Sequence, residues 1–136
     1  MLMLRDLQAH LDITPTRGKS KANGDKFDER IVGRPKSLKV KLRFFDGPEF
    51  SQPDLDAIRH FSPTIRLRSL RGDEVTEHRA PNGHHFTVRD LCAAVEAHEQ
   101  VTRINTEWSG GIDYSHVYFE GFERHADGVW YILWGS

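Results

Sequence analysis

Alternating apolar and polar positions predict three β-strands in the middle of the chain. The clearest covers residues 37–44, where leucine, valine, leucine and phenylalanine alternate with lysine and arginine. A two-residue period is typical of a strand with one face towards solvent. Weaker alternation predicts two more strands, at residues 64–70 and 74–79, which a turn at Gly72 joins.

A period of three to four residues predicts helices. The strongest pattern covers residues 87–104, where Thr87 is placed as the N-cap and Asp90 lies near the positive end of the helix dipole. Shorter helices are predicted at residues 3–11 and 53–60. The predicted inner face of the long helix consists of Val88, Leu91, Cys92, Ala94, Val95, Val101 and Thr102. The predicted outer face consists of Arg89, Glu96, Gln100 and Arg103.

Residues 115–134 predict a β-hairpin, because two runs of aromatic and β-branched residues flank a short turn sequence. The register has two alternatives. A two-residue turn pairs Gly121 with Trp134, whereas a three-residue loop with a left-handed glycine pairs Phe122 with Ile132. Both faces of the hairpin carry aromatic residues, so we expect both faces to be covered.

Together these elements predict an α+β fold. One arrangement is an antiparallel sheet of four to five strands packed by one long helix at 87–104. The alternative is a ferredoxin-like βαββαβ order with an extra C-terminal strand. Residues 1–36 are predicted to form a short helix and a basic flexible arm, and residues 37–136 a single α+β domain.

Charge divides the chain into two parts. Residues 17–43 carry a net charge of +7, residues 44–136 carry −7, and the whole chain carries −1. A basic arm at 17–43 is a candidate for phosphate contacts with nucleic acid. It has few aromatic residues for base stacking, so a solvated arm is the favoured interpretation.

One cysteine and a short apolar N-terminus define the expected environment. Cys92 is the only cysteine, which excludes an internal disulfide and any multi-cysteine metal site. The first residues are too few and too interrupted for a signal peptide or a membrane span. We therefore expect a cytoplasmic protein that does not bind membranes.

The candidate catalytic residues are His116, Asp113 and Glu120, which offer a histidine–carboxylate pair for acid–base chemistry. Common hydrolase, phosphate-loop and dinucleotide motifs are absent, so no cofactor is predicted. No local spacing joins two histidines as metal ligands, so no metal site is predicted. His98 and Cys92 are interpreted as core residues of the long helix.

The loop at 107–114 is the candidate binding segment. Trp108 lies there in a polar, glycine-rich sequence, where it either folds over the core or contacts a partner. The predicted binding residues are Trp108, Glu107, Tyr114 and Tyr118. The leading hypothesis is a non-catalytic domain that uses this loop and the 115–134 hairpin to bind a protein, most simply another copy of itself. A small enzyme and a nucleic-acid binder are the alternatives.

Overall fold

A computed structural model describes residues 4–15, 35–69, 72–108 and 110–136. Strand residues outnumber helical residues in the described chain, and a six-stranded mixed sheet curls into a half-barrel beside the helix α1 (Val88–Thr102). The strands are β1 (Ala9–Pro15), β2 (Leu38–Phe44), β3 (Ile58–His60), β4 (Thr64–Ser69), β5 (Val75–Arg79), β6 (Phe86–Thr87), β7 (Tyr118–Arg124) and β8 (Trp130–Gly135). The large sheet has the order β2-β1-β7-β8-β4-β5, and β3 pairs with β6 separately.

Both predicted arrangements of the fold are wrong. The sheet has six strands and is mixed, because β8 runs parallel to β4. A ferredoxin-like order also needs a helix at 53–60, and that segment is not helical. The carbonyls of Leu55 and Ala57 instead accept 2.9 Å hydrogen bonds from the N–H groups of Arg89 and Val88. The segment therefore satisfies the first turn of α1, which has no carbonyl partners of its own.

The predicted N-terminal helix at 3–11 is also wrong. Leu7, Ala9 and Leu11 are buried at alternating positions, and β1 pairs along its whole length with β2. The four-residue spacing from Leu7 to Leu11 fits one helical turn and two strand repeats equally, so the leucines alone were ambiguous. Most of the predicted basic arm, residues 16–34, lies outside the described residues.

The long helix is confirmed, with two residues near its C-terminal end assigned to the wrong face. Thr87 Oγ1 accepts the Asp90 N–H at 3.2 Å, and Asp90 Oδ2 accepts the Thr87 N–H at 3.0 Å, which completes a capping box. Val101, predicted to face inward, is 54% exposed, whereas Arg103, predicted to face outward, is 2% exposed. No helix within the described ranges is long and apolar enough to cross a membrane.

The hairpin is confirmed, and its register is the one with a three-residue loop. Phe122 pairs with Ile132, and Gly128 in the loop has a φ of +81°. A bulge follows, because Phe119 pairs with Trp134 instead of continuing the same register. The inner face belongs to the buried core, whereas Tyr118 on the outer face is 45% exposed. The hairpin is therefore packed on one face and accessible on the other.

Candidate functional site

A buried ion pair anchors the loop that follows α1. The Arg103 guanidinium donates from Nε to Glu99 Oε1 at 2.7 Å, and both side chains are almost fully buried. Its Nη1 donates to the carbonyls of Asp113 and His116 at 3.0 and 2.9 Å. One side chain therefore joins the end of the helix to two points of the loop, which restricts the loop conformation.

Asp113 and His116 form a second buried pair within that loop. Asp113 Oδ2 lies 2.8 Å from His116 Nδ1, and Oδ1 accepts the N–H groups of Ser115 and His116 at 2.8 and 3.1 Å. Burial acts to raise the pKa of Asp113, but these hydrogen bonds and the nearby Arg103 outweigh it and lower the pKa overall. The carboxylate is therefore charged and closes a tight turn.

Two of the three predicted catalytic residues come together, and the third does not. Glu120 is exposed on the outer face of β7, where its carboxylate lies against Gly135. Among the described residues it shares no hydrogen bond or ion pair with Asp113 or His116. Alternation does not relate His116 to Glu120, because β7 begins only at Tyr118. Neither Asp113 nor His116 lines any of the four cavities characterised among the described residues.

Replacing Asp113 with alanine is expected to lower the free energy of unfolding by about 2–3 kcal/mol. The substitution leaves two backbone N–H groups and the buried His116 ring without their acceptor. Glu120→Ala is the matched control, since this exposed carboxylate should contribute less than about 0.5 kcal/mol. Urea denaturation at neutral pH measures both values. Equal effects of the two substitutions would contradict the anchoring role of Asp113.

Trp108 occupies a fixed but accessible position. Its N–H donates to the Gly111 carbonyl at 2.7 Å and its carbonyl accepts the Gly111 N–H at 3.2 Å, around Gly110 with a φ of +85°. The indole meets the His116 ring edge-on with centroids 4.8 Å apart, yet it is 44% exposed. Trp108 therefore lies against the anchored loop and does not close over the core.

Tyr118 belongs to a group of rings contributed by three separate segments. Phe45 is the central ring, and its centroid lies 6.1 Å from Tyr118, 5.4 Å from Phe50 and 5.3 Å from His10. Trp108 is linked to this group only through its contact with His116, which precedes Tyr118 by two residues in the chain. We call the surface formed by these five side chains the aromatic end: His10, Phe45, Phe50, Trp108 and Tyr118.

Basic side chains lie beside the aromatic end on β2. Lys39, Lys41 and Arg43 alternate with buried residues and line a trough of about 630 Å³. Arg43 forms an ion pair with Asp12, and Lys41 Nζ lies 3.7 Å from Glu96. Tyr114, a predicted binding residue, also lines the trough, and Glu107 is exposed in the neighbouring loop. Of the binding residues predicted from the sequence, Tyr114 therefore lies beside the basic side chains of β2.

His98 and Cys92 are buried or half-buried residues of α1. His98 is fully buried, and its Nδ1 lies 2.7 Å from Thr76 Oγ1. Burial, followed by the charge of Glu96, raises the pKa of the Cys92 thiol to about 12, although Lys41 and Arg89 oppose the shift. A thiol with this pKa is protonated at neutral pH and is a poor nucleophile.

The sequence did not reveal Glu99 and Arg103 as a buried pair, although their four-residue spacing on a helix was a usable signal. It also gave no indication that Phe45 and Phe50 meet Tyr118. Within the described ranges no three histidine, cysteine, aspartate or glutamate side chains are grouped as metal ligands. Comparisons with protein-family models, with curated proteins and with solved structures find no match to this chain.

Proposed function

We propose that this protein is a non-catalytic binding domain that associates with a second copy of itself through the aromatic end. The observation that carries the proposal is that Trp108 and Tyr118 are both exposed to solvent and held in fixed positions. They are 44% and 45% exposed, although ring contacts and backbone hydrogen bonds hold them in place. Rigid aromatic side chains lose little conformational entropy on binding and commonly dominate interface energies.

Charge supports a second copy as the partner. The lysines and arginine of β2 lie beside the aromatic end, and residues 44–136 carry a net charge of −7. The negative charge of residues 44–136 in a second copy would therefore attract the basic side chains of β2. The net charge of −1 also gives little overall repulsion between two copies.

The acid–base hypothesis has one observation in its favour and two against it. His116 and Asp113 have the geometry of a histidine–carboxylate pair, with 2.8 Å between Nδ1 and Oδ2. However, Asp113 already accepts two backbone N–H groups, and neither residue lines a characterised cavity in the described chain. A general acid or base must reach a substrate, so the geometry favours a structural role for this pair.

Sedimentation velocity over a range of protein concentrations tests self-association. We expect a monomer–dimer equilibrium whose dissociation constant rises at least tenfold in Trp108→Ala and in Tyr118→Ala, because each removes a large interface side chain. Phe61→Ala is the matched control, since Phe61 is 79% exposed but lies outside the aromatic end. A monomer at every concentration, or an equal effect of Phe61→Ala, would rule out the proposal.

A second candidate, single-stranded nucleic acid, is favoured by the combination of rings and basic side chains. The aromatic end supplies the stacking surface that residues 17–43 lack, and β2 supplies cations beside it. Fluorescence anisotropy with labelled single-stranded DNA at increasing salt tests this candidate. Binding should weaken with salt and in Lys39→Glu, and no binding at low salt would remove it.

A further inference from the structure

The largest cavity characterised among the described residues lies at the other end of the hairpin. It is a groove of about 860 Å³ between the start of β4, the segment after β3 and the tip of the hairpin. Its size is within the range of about 300–1,000 Å³ that small-molecule sites occupy. No binding residue predicted from the sequence lines it.

Three arginines give the groove a positive charge. Arg59, Arg66 and Arg124 all line it, and only one carboxylate, Glu123, lies among the lining residues. That carboxylate is already 3.0 Å from His125 Nε2. Within the described chain, the guanidiniums of Arg59 and Arg124 have no ion pair. Unpaired arginines along one groove are typical of sites for phosphate or carboxylate groups.

An exposed aromatic ring forms the edge of the same groove. Phe61 is 79% exposed, more than any other large apolar side chain described. It follows β3 directly and precedes Ser62 and Pro63, and the Pro63 carbonyl accepts the Ala80 N–H at 2.8 Å. Proline and this hydrogen bond restrict the segment that carries the ring. The ring is therefore presented to solvent on a fixed support.

A second aromatic side chain lines the groove and is held in place. Trp130 lines the groove, and its ring meets the His60 ring edge-on with centroids 6.1 Å apart. His60 in turn contacts Phe86 in the core and has its Nε2 3.0 Å from the Thr64 carbonyl. The groove therefore combines arginines, a half-buried indole and an exposed phenyl ring on a rigid frame.

We propose that this groove binds a nucleoside phosphate, with the phosphate held by the arginines and the base stacked on Phe61. A guanidinium pairs with phosphate oxygens through two parallel hydrogen bonds, and a phenyl ring stacks on any base. Inorganic phosphate uses only the arginines, and an uncharged nucleoside uses only the rings. A ligand with both groups matches the whole lining. This site is separate from the aromatic end and does not depend on self-association.

Calorimetric titration of the full chain with ADP, adenosine and inorganic phosphate at low ionic strength tests the inference. ADP should bind, phosphate should bind at least tenfold more weakly, and adenosine more weakly still. Arg124→Gln should weaken ADP binding about tenfold or more, because it removes a charge-assisted contact. Phe61→Ala should weaken ADP binding about tenfold and leave phosphate binding unchanged. Both side chains are exposed, so neither substitution should affect folding.

Arg89→Gln is the matched control, because this arginine is exposed on α1 and does not line the groove. It should leave ADP binding unchanged. No binding of ADP at millimolar concentration would overturn the inference, and so would equal effects of Arg124→Gln and Arg89→Gln. If inorganic phosphate binds with the same affinity as ADP, the proposed stacking of the base on Phe61 is wrong. Binding of a single-stranded oligonucleotide that is tighter than binding of ADP, and that Arg124→Gln also weakens about tenfold, would overturn the choice of a small ligand.

Discussion

Replacing Arg103 with leucine is expected to lower the free energy of unfolding by about 3–5 kcal/mol, the cost of breaking a buried ion pair from one side. The substitution leaves the Glu99 carboxylate, which is fully buried, without the donor at 2.7 Å. It also leaves the carbonyls of Asp113 and His116 without the Nη1 donor. Urea denaturation at neutral pH gives the free energy of unfolding directly.

Two further variants separate the buried charge from general damage to the helix. Arg89→Leu removes an exposed arginine of α1 that lies 3.6 Å from Asp56, and it should cost less than about 1 kcal/mol. The double variant Glu99→Met/Arg103→Leu should be more stable than Arg103→Leu alone, because no unpaired charge remains. If Arg103→Leu costs no more than Arg89→Leu, the ion pair does not anchor the loop.

The same substitution connects stability to the proposed function. Arg103 binds the loop that orients Trp108, through the carbonyls of Asp113 and His116. A loosened loop would have to be ordered on association, which costs conformational entropy. Arg103→Leu should therefore weaken self-association even under conditions in which the variant remains folded. This links a buried residue of the helix to the surface at the aromatic end.

Short-range sequence patterns were sufficient to predict some helices and strands. The helix from Val88 was predictable because its capping box and its apolar stripe lie within one segment of sequence. The strand β2 was predictable because its alternation is uninterrupted. The hairpin register could be reduced to two alternatives, and the pairing of Phe122 with Ile132 decides between them. In each case the residues that determine the structure are neighbours in the chain.

The errors arose where a tertiary partner decides between two local structures. Leu7 and Leu11 fit a helix or a strand, and pairing with β2 selects the strand. Residues 53–60 fit a short helix, but the carbonyls of Leu55 and Ala57 bond to the first turn of α1. Periodicity within one segment does not contain this information, because the partner lies about thirty residues away along the chain.

The candidate sites also divide into contacts that the local sequence predicts and contacts that depend on the tertiary fold. His116 and Asp113 are three residues apart, so their contact follows from a local turn and was predictable. Phe45, Phe50 and Tyr118 meet only because the curled sheet brings β7 beside β1 and the segment after β2. The arginines of the groove likewise come from β4, β7 and the segment around β3. Such surfaces require the sheet order, which no single segment determines.

The fully buried His98 should make the protein less stable at mildly acidic pH. Burial, followed by the charge of His78, lowers the pKa of His98 from 6.5 to about 4, and Glu74 opposes this shift while Arg103 adds to it. Its Nε2 also lies 3.8 Å from Glu99 Oε2, too far for a hydrogen bond. In the unfolded chain the imidazole takes up its proton near pH 6.5, whereas in the folded chain it does so only near pH 4.

The unfolded state therefore binds the extra proton first, and the free energy of unfolding falls as the pH drops from 6.5 to about 4. His98 alone should account for a loss of about 3 kcal/mol over this range, at about 1.4 kcal/mol per pH unit for one proton. The loss should level off below pH 4 and should be absent above pH 6.5. Urea denaturation series at several pH values measure the slope.

His98→Gln should remove that slope, because glutamine does not titrate. The pKa of His78 is also lowered by burial, but this ring is only half-buried, so His78→Gln should remove a smaller part of the slope. Comparing the slopes separates the effect of the proton from any change in packing. A lost packing contact lowers the free energy of unfolding by the same amount at every pH and leaves the slope unchanged. A slope between pH 4 and 6.5 that is the same in His98→Gln and in the original chain would show that His98 is not the titrating group.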